Sequence, residues 1–169
     1  MFVPGSDALG ATDMTPLKMS TQARAELLET TPWAQNLSWE QVVRLAAYVQ
    51  ATQVRAERTV FREHARERYM CLILEGRVAI LKEDSRLGQK KLAELGRGKA
   101  FGEIAVLDSQ PRSASVVASV DTRMLVLSRK ALEHMCEEQP KLANKLMWML
   151  VEVVTARLRM TSGALVESL

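Results

Sequence analysis

Apolar positions along the chain recur first with a helical spacing, then with a spacing of about two, then with a helical spacing again. Leu17 to Glu29 carries a modest helical pattern with Leu27 and Leu28 near its end, and Pro32 breaks it. Ser38-Trp39-Glu40-Gln41 has the form of a capping box. In that motif the serine hydroxyl accepts from the amide three residues on, and the glutamine side chain reaches back. The helix it opens places Val42, Leu45, Ala46 and Val49 on one face and is predicted to end near Thr52. After Gln53 come β-type runs at Val54–Phe61, Tyr69–Leu74, Arg77–Leu81, Lys90–Leu95, Ala114–Val120 and Met124–Leu127. Turn signals separate them at Glu75-Gly76, Asp84–Gly88, Gly96–Gly98 and Val120–Thr122, which predicts an antiparallel sandwich or barrel. From Ser128, a candidate N-cap, the helical period returns with Leu132, Met135 and Cys136 predicted to face inward. Pro140 suits the first position of a last helix, 140–165, where its missing N–H is not needed. Residues 1–16 have no periodicity and read as a flexible lead-in, so 17–169 reads as one α+β domain.

With 169 residues, 47% of them apolar, the chain can bury a core without disulfide or metal. The 23 basic and 20 acidic residues leave a net charge of +3, scattered along the chain. That footprint is too weak to predict binding to nucleic acid or an anionic membrane. Cys71 and Cys136 stand apart from each other and from any histidine cluster, so neither a disulfide framework nor a metal site is expected. No apolar run reaches the roughly 20 residues of a membrane span. The first twenty residues lack a basic start followed by an apolar stretch. A cytoplasmic location is the expectation. Ser113 and Ser115 have no histidine in a convincing relation to them, so no catalytic residue and no enzymatic activity is expected. His64 and His134 read as loop and helix-surface residues, Cys71 as a core residue, and Arg62–Arg68 as a solvated loop.

The β block is interrupted by Phe101-Gly102-Glu103-Ile104-Ala105-Val106-Leu107, followed closely by Pro111-Arg112-Ser113-Ala114-Ser115-Val116. A short helix starting at Gly102 would present unpaired amides to an anion, and glycine lets a ligand approach the main chain. Glu103, when ionised, only accepts hydrogen bonds and suits a sugar hydroxyl. Arg112 brings a rigid donor fork that suits phosphate oxygens. Together these residues describe a pocket for a sugar phosphate.

The stretch FGEIAVL…PRSASV resembles the phosphate-binding cassette of cyclic nucleotide-binding domains, the family of catabolite activators and the regulatory subunits of cyclic-AMP-dependent kinase. The resemblance runs from about Leu37 to Met160 and includes YMCLILEGRVAI as a strand–Gly–strand hairpin and LGRGKAF as the turn feeding the cassette. It implies an eight-stranded jelly-roll β barrel with a helical segment before it and hinge and lid helices after. By that resemblance Glu103 binds the ribose 2′-hydroxyl and Arg112 pairs with the cyclic phosphate. Gly102, Ile104 and Ala105 cradle the phosphate, Ser113 and Ala114 complete the cassette, and Leu95 and Val116 line the base. The resemblance also implies a preference at Ser113, where threonine favours cyclic GMP in the kinases and alanine cyclic AMP, while catabolite activators carry serine and bind cyclic AMP. Cyclic AMP is therefore the favoured ligand, with cyclic GMP, a cyclic dinucleotide or a ligand-free assembly module as alternatives. Ala56-Glu57 and His64-Ala65 stand where the family has glycine-containing turns, which predicts altered loops.

On the last helix, Leu142, Leu146, Met149, Val153, Ala156 and Met160 form one apolar stripe, and Met147, Val151, Val154, Leu158 and Leu165 a second. One stripe suffices to pack on a barrel. The second predicts another partner, most simply the same helix of a twin subunit, as in catabolite activators; the alternative is a helix wedged against the N-terminal helices. Trp148 falls on the polar face and reads as a surface aromatic. Catabolite activators continue into a helix-turn-helix whereas this sequence ends at Leu169, so direct DNA binding is not expected and an effector protein is.

Overall fold

The strand Tyr69–Glu75 (β4) is apolar at every position through Leu74 because it is buried on both faces. Its odd-numbered residues Tyr69, Cys71 and Ile73 enter a core between two sheets. Met70, Leu72 and Leu74 point the other way, into a second core beneath the helices. The neighbouring strand Thr122–Ser128 (β9) divides the same way: Met124 and Val126 face the inner core, Leu125 and Leu127 the helices. The alternation is the two-residue period of a strand, with no polar face because neither face meets water.

The computed structural model describes residues 12–84, 88–108 and 110–167, with side chains through Thr161. One antiparallel sheet has the order β1-β2-β9-β4-β7, where β1 is Thr15–Pro16, β2 Gln50–Val54 and β7 Ala100–Phe101. The facing sheet, β3-β8-β5-β6, is built from Thr59–Phe61, Ser115–Ala118, Arg77–Asp84 and Gly88–Gly96. Helices α1 (Thr21–Glu29) and α2 (Trp39–Ala46), the short α3 (Ile104–Leu107), then α4 (Arg129–Glu138) and α5 (Pro140–Glu167) complete the α+β jelly-roll arrangement. Both bonds of the Ser38–Gln41 capping box form, and Ser20 and Ser128 cap α1 and α4 through their hydroxyls.

Several expected boundaries move. The helix expected to end near Thr52 stops at Ala46, and Gln50–Val54 is strand β2, paired along its length with β9. β-branched Thr52 and Val54 suit a strand, and pairing with β9 overrides the helical spacing read across Val49. The lead-in expected to run to residue 16 is docked from Met14 onward. Met14 is buried in the inner core, Thr15 and Pro16 pair with Gln53 and Thr52, and Leu17 N–H donates to Ala51 O. Residues 1–11 lie outside the described residues. Cys136, expected to face inward, is exposed, while Leu132 and Met135 are buried as expected.

The loops predicted to be altered keep the left-handed backbone without its usual residue. Glu57 has φ +64° and His64 φ +67°. Their amides are used, Glu57 N–H donating to Ala118 O of β8 and His64 N–H to Arg112 O of the cassette loop, both at 2.8 Å, and these bonds hold the conformations.

Candidate functional site

β7 pairs with β4 through Cys71↔Phe101 and Leu72↔Ala100, and the chain then turns into α3 at Gly102, with φ +75°. A Cβ on Gly102 would lie 2.8 Å from Arg112 Nη1 and 3.2 Å from both Phe61 Cε1 and Tyr69 O. Backbone angle and space both demand glycine here. Ala105 is buried and Ile104 exposed, as the turn of helix requires. The amides of Val106 and Leu107 bond back to Glu103 O. Those of Glu103, Ile104 and Ala105 come before that first turn and have no acceptor within the helix.

The Arg112 side chain folds back against this turn. Its Nη1 donates to Gly102 O at 3.0 Å and its Nη2 to Tyr69 O at 2.7 Å. The guanidinium carbon lies 3.9 Å from the Phe61 ring centroid and 4.6 Å from that of Tyr69, within cation–π range. Arg112 is 3% exposed, and its Nε is buried with no hydrogen-bond partner among the described residues. Burial pushes the guanidinium pKa below its ordinary value, opposed by the nearby Tyr69, Cys71 and Glu67 groups.

The loop holding the Arg112 backbone is Arg62–Arg68, which the sequence presents as merely solvated. Arg112 N–H donates to Ala65 O and His64 N–H to Arg112 O, each at 2.8 Å, a reciprocal clamp. Glu63 in this loop is buried. Its amide donates to Ser115 Oγ at 2.8 Å, and its carboxylate accepts from Lys82 Nζ and, at 2.9 Å, from Glu83 N–H. Lys82 also donates to Ser113 O at 2.7 Å, so the cassette's second half is pinned to β5. The Lys82 hydrogen bond, then the Glu83 amide, holds the Glu63 carboxyl below the ordinary carboxylate range. Glu63, His64 and Glu83 also come close enough to share a cation, but the Lys82 ammonium already sits on Glu63.

Glu103 is fully buried, with 0% of its surface exposed. Its Oε1 accepts from Arg157 Nη1 on α5, and Arg157 Nη2 donates to Ala100 O. Its Oε2 is buried without a hydrogen-bond partner among the described residues. Arg129, the first residue of α4, donates from Nη1 to Val106 O at 3.0 Å and Leu107 O at 3.3 Å, which satisfies the carbonyls at the end of α3. The cassette is thus tied to both C-terminal helices by arginines.

The structure brings Gly102, Glu103 and Arg112 together at one turn, with Glu103 and Arg112 bonded to different partners. Val116 is in the inner core and Leu95 packs against it; Leu95 pairs with Val78 on β5, and Val116 with Ile80. Ser113 is exposed and Ala114 half-buried. A cavity of about 130 Å³ lined by Asp13, Thr15, Gln53, Arg55 and Arg58, and an apolar one of about 20 Å³ between the helices and β4, both lie away from the cassette. Sequence reasoning missed Phe61, Tyr69, Glu67, Arg129 and Arg157. A signal existed for Arg157. Leu146, Leu150, Val153 and Arg157 continue one face of α5 at spacings of 4, 3 and 4, and an arginine on a buried face calls for a partner.

Residues 51–139 match the family model described as "Cyclic nucleotide-binding domain". The chain belongs to this family. A crystal structure of a cyclic nucleotide-binding domain from Methylobacillus flagellatus superposes with a TM-score of 0.81 at 31% identity, covering 93% of this chain and 90% of that one. The catabolite activator protein of Thermus thermophilus gives a TM-score of 0.67 at 29% identity, covering 80% of this chain and 62% of that one. A curated relative, the cyclic AMP receptor protein of Thermus thermophilus, is 29% identical over 119 residues, 70% of this chain and 55% of the relative. The chain spans only 10% and 29% of the first two curated relatives it matches. Among the described residues, no helix is long and apolar enough to cross a membrane.

Proposed function

We propose that this cyclic nucleotide-binding domain binds cyclic AMP in preference to cyclic GMP and acts as a regulatory module, not an enzyme, passing occupancy to a partner through α4 and α5. One observation carries the reading: a buried acceptor, Glu103 Oε2, and a buried donor, Arg112 Nε, both lack partners among the described residues on either side of the Gly102 turn. Unfilled buried polar groups of opposite kind are costly unless a ligand supplies the complement. A sugar hydroxyl would complete Glu103, and a cyclic phosphate would complete Arg112 and neutralise its buried charge. The cyclic AMP receptor relative and the serine at position 113 support the base preference. Arg129 and Arg157 supply the coupling, because each fixes a C-terminal helix to the backbone or side chains of the cassette.

Calorimetric titration with cyclic AMP tests the site. Arg112→Ala is expected to lose a hundredfold or more in affinity, since losing one partner of a buried ionic contact costs about 3–5 kcal/mol. Glu103→Gln is expected to bind more weakly than wild type. Wild-type affinity in both variants overturns the assignment. The ligand-free assembly reading has one observation in its favour: both terminal nitrogens of Arg112 and one oxygen of Glu103 already have partners within the chain. A thermal-shift panel with cyclic AMP, cyclic GMP and a cyclic dinucleotide separates the two readings, because only a binding module is stabilised.

On α5, Val151 (43% exposed) and Leu158 (64%) of the second stripe present apolar surface. We propose that they pair with the same helix of a second copy, in a cytoplasmic homodimer that addresses an effector protein.

A further inference from the structure

α5 leaves the body of the domain before it ends. Leu142, Ala143, Leu146 and Leu150 are buried, Val153 and Val154 half-buried, and Ala156, Leu158 and Met160 exposed. Among the described residues, α5 beyond Leu150 reaches the rest of the domain by the hydrogen bonds of Arg157 to Glu103 Oε1 and Ala100 O. The Arg157 side chain is 38% exposed while the Glu103 side chain is fully buried. Arg157 therefore supplies the counter-charge to a buried acid of the site from a segment whose apolar hold on the domain is the packing of Val153.

We propose that Arg157 is the positioning residue for the ribose-binding acid: it fixes Glu103 through Oε1 so that Oε2 remains open to one ligand hydroxyl, and it thereby ties the outer half of α5 to that hydroxyl. The inference rests on the nucleotide-binding reading given above. Two arrangements of these groups are conceivable. In one, the ligand hydroxyl and Arg157 compete for Glu103, and binding expels the helix. In the other they share it, and binding holds the helix. The geometry points to sharing, because the two carboxylate oxygens are already divided, one engaged and one free. A carboxylate offers about four lone-pair sites, enough for a fork on one side and a hydroxyl on the other. Two partners that orient the same group strengthen each other, and the coupling must be reciprocal. The nucleotide tightens α5, and a docked α5 tightens the nucleotide.

The test is a cycle of two proteins and two ligands. Wild type and Arg157→Met are titrated with cyclic AMP and with its 2′-deoxy analogue, and amide hydrogen exchange is followed over residues 151–161. Cyclic AMP is expected to weaken about tenfold or more in Arg157→Met, the deoxy analogue by less than about threefold, so that the two ligands become nearly equal in the variant. Exchange over 151–161 is expected to slow on adding cyclic AMP to wild type and to stay fast in the variant. Arg157→Lys keeps the charge without the two-pronged donor and is expected to recover part of the discrimination. Equal losses for the two ligands would show a general structural effect and overturn the inference. Tighter cyclic AMP binding by Arg157→Met would establish competition and overturn it too. If wild type binds cyclic AMP and Arg157→Met matches it, this inference alone fails. If wild type binds neither ligand, the nucleotide-binding reading fails and takes the inference with it.

Discussion

Three residues of this domain carry unusual local demands, and each makes its own prediction. Gly102 combines positive φ with neighbours inside contact distance, so Gly102→Ala meets both backbone strain and overpacking. The expected loss is about 2–4 kcal/mol, read as a lower urea midpoint with an unchanged slope. Glu57 poses the opposite case, a residue with a Cβ held at φ +64° with an exposed side chain. Glu57→Gly removes a left-handed penalty of about 1–2 kcal/mol and adds some chain entropy to the unfolded state, for a net gain of about 0.5–1 kcal/mol. A midpoint two to four degrees higher per kcal/mol gained is the scale to look for, roughly, at this chain length. Glu63 predicts a pH effect. Its carboxyl is held below the ordinary range in the folded protein, so the stability it contributes is present above the unfolded-state value and disappears as pH falls through the lower folded value. Glu63→Gln should accordingly be less stable than wild type at pH 7, and the gap should close as urea midpoints are measured downward through pH 5 to about pH 3, past the ordinary carboxylate range. A gap independent of pH would mean that the Glu63 side chain acts through hydrogen bonding and packing and not through its charge.

At the scale of elements, what could be read from the sequence follows from how local each cause is. The capping box at Ser38 and the Ser128 cap act within four residues, and both form where the side chains predict them. β4 declares itself as an unbroken apolar run, because a strand between two cores has no polar face to show. The cassette turn is legible for the same local reason: a glycine, an acid and an arginine lie within a dozen residues. What the sequence hides is fixed from far away. β2 carries a helix-like spacing before it and becomes a strand through β9, some seventy positions on. The loop from Arg62 to Arg68 reads as a charged surface, yet its carbonyls and amides clamp Arg112 across nearly fifty positions. Glu57 and His64 lack the glycine that marks a left-handed turn, so the turn is invisible although it is present. Arg129 shows the same limit, because its role depends on α3 ending beside it. Arg129→Ala leaves carbonyls of α3 without a donor and is expected to cost about 1 kcal/mol in stability. Circular dichroism melts of wild type and variant check it, and an unchanged midpoint would show that water replaces the guanidinium without loss.

For the molecule as a whole, the question is what the exposed face of α5 meets. Leu142, Leu146 and Leu150 settle the inner half of the helix against the domain with Met149 and Val153 packed beside them, so the stripe expected to serve that packing is used as far as Val153 and leaves Ala156 and Met160 exposed. The exposed positions Val151 and Leu158 recur at a spacing of 7, which places them along one line of the helix surface. Arg157 lies next to Leu158 on the chain but around the cylinder from it, so the helix can hold Glu103 on one side and a copy of itself on the other. Pairing of that kind is closed and self-complementary, and it stabilises the folded state by mass action. The proposed dimer thus predicts a melting midpoint that rises with protein concentration, for instance between about 1 and 100 µM, and a mass of twice 18.9 kDa by light scattering at the upper end. Leu158→Asp should remove the concentration dependence and halve the mass while leaving the Arg157–Glu103 pair, and hence cyclic AMP binding by each subunit, in place. A wild-type mass of one chain at every concentration would refute the pairing and leave the nucleotide site untouched, since the Gly102, Glu103, Arg112 and Arg157 contacts described above form within one chain.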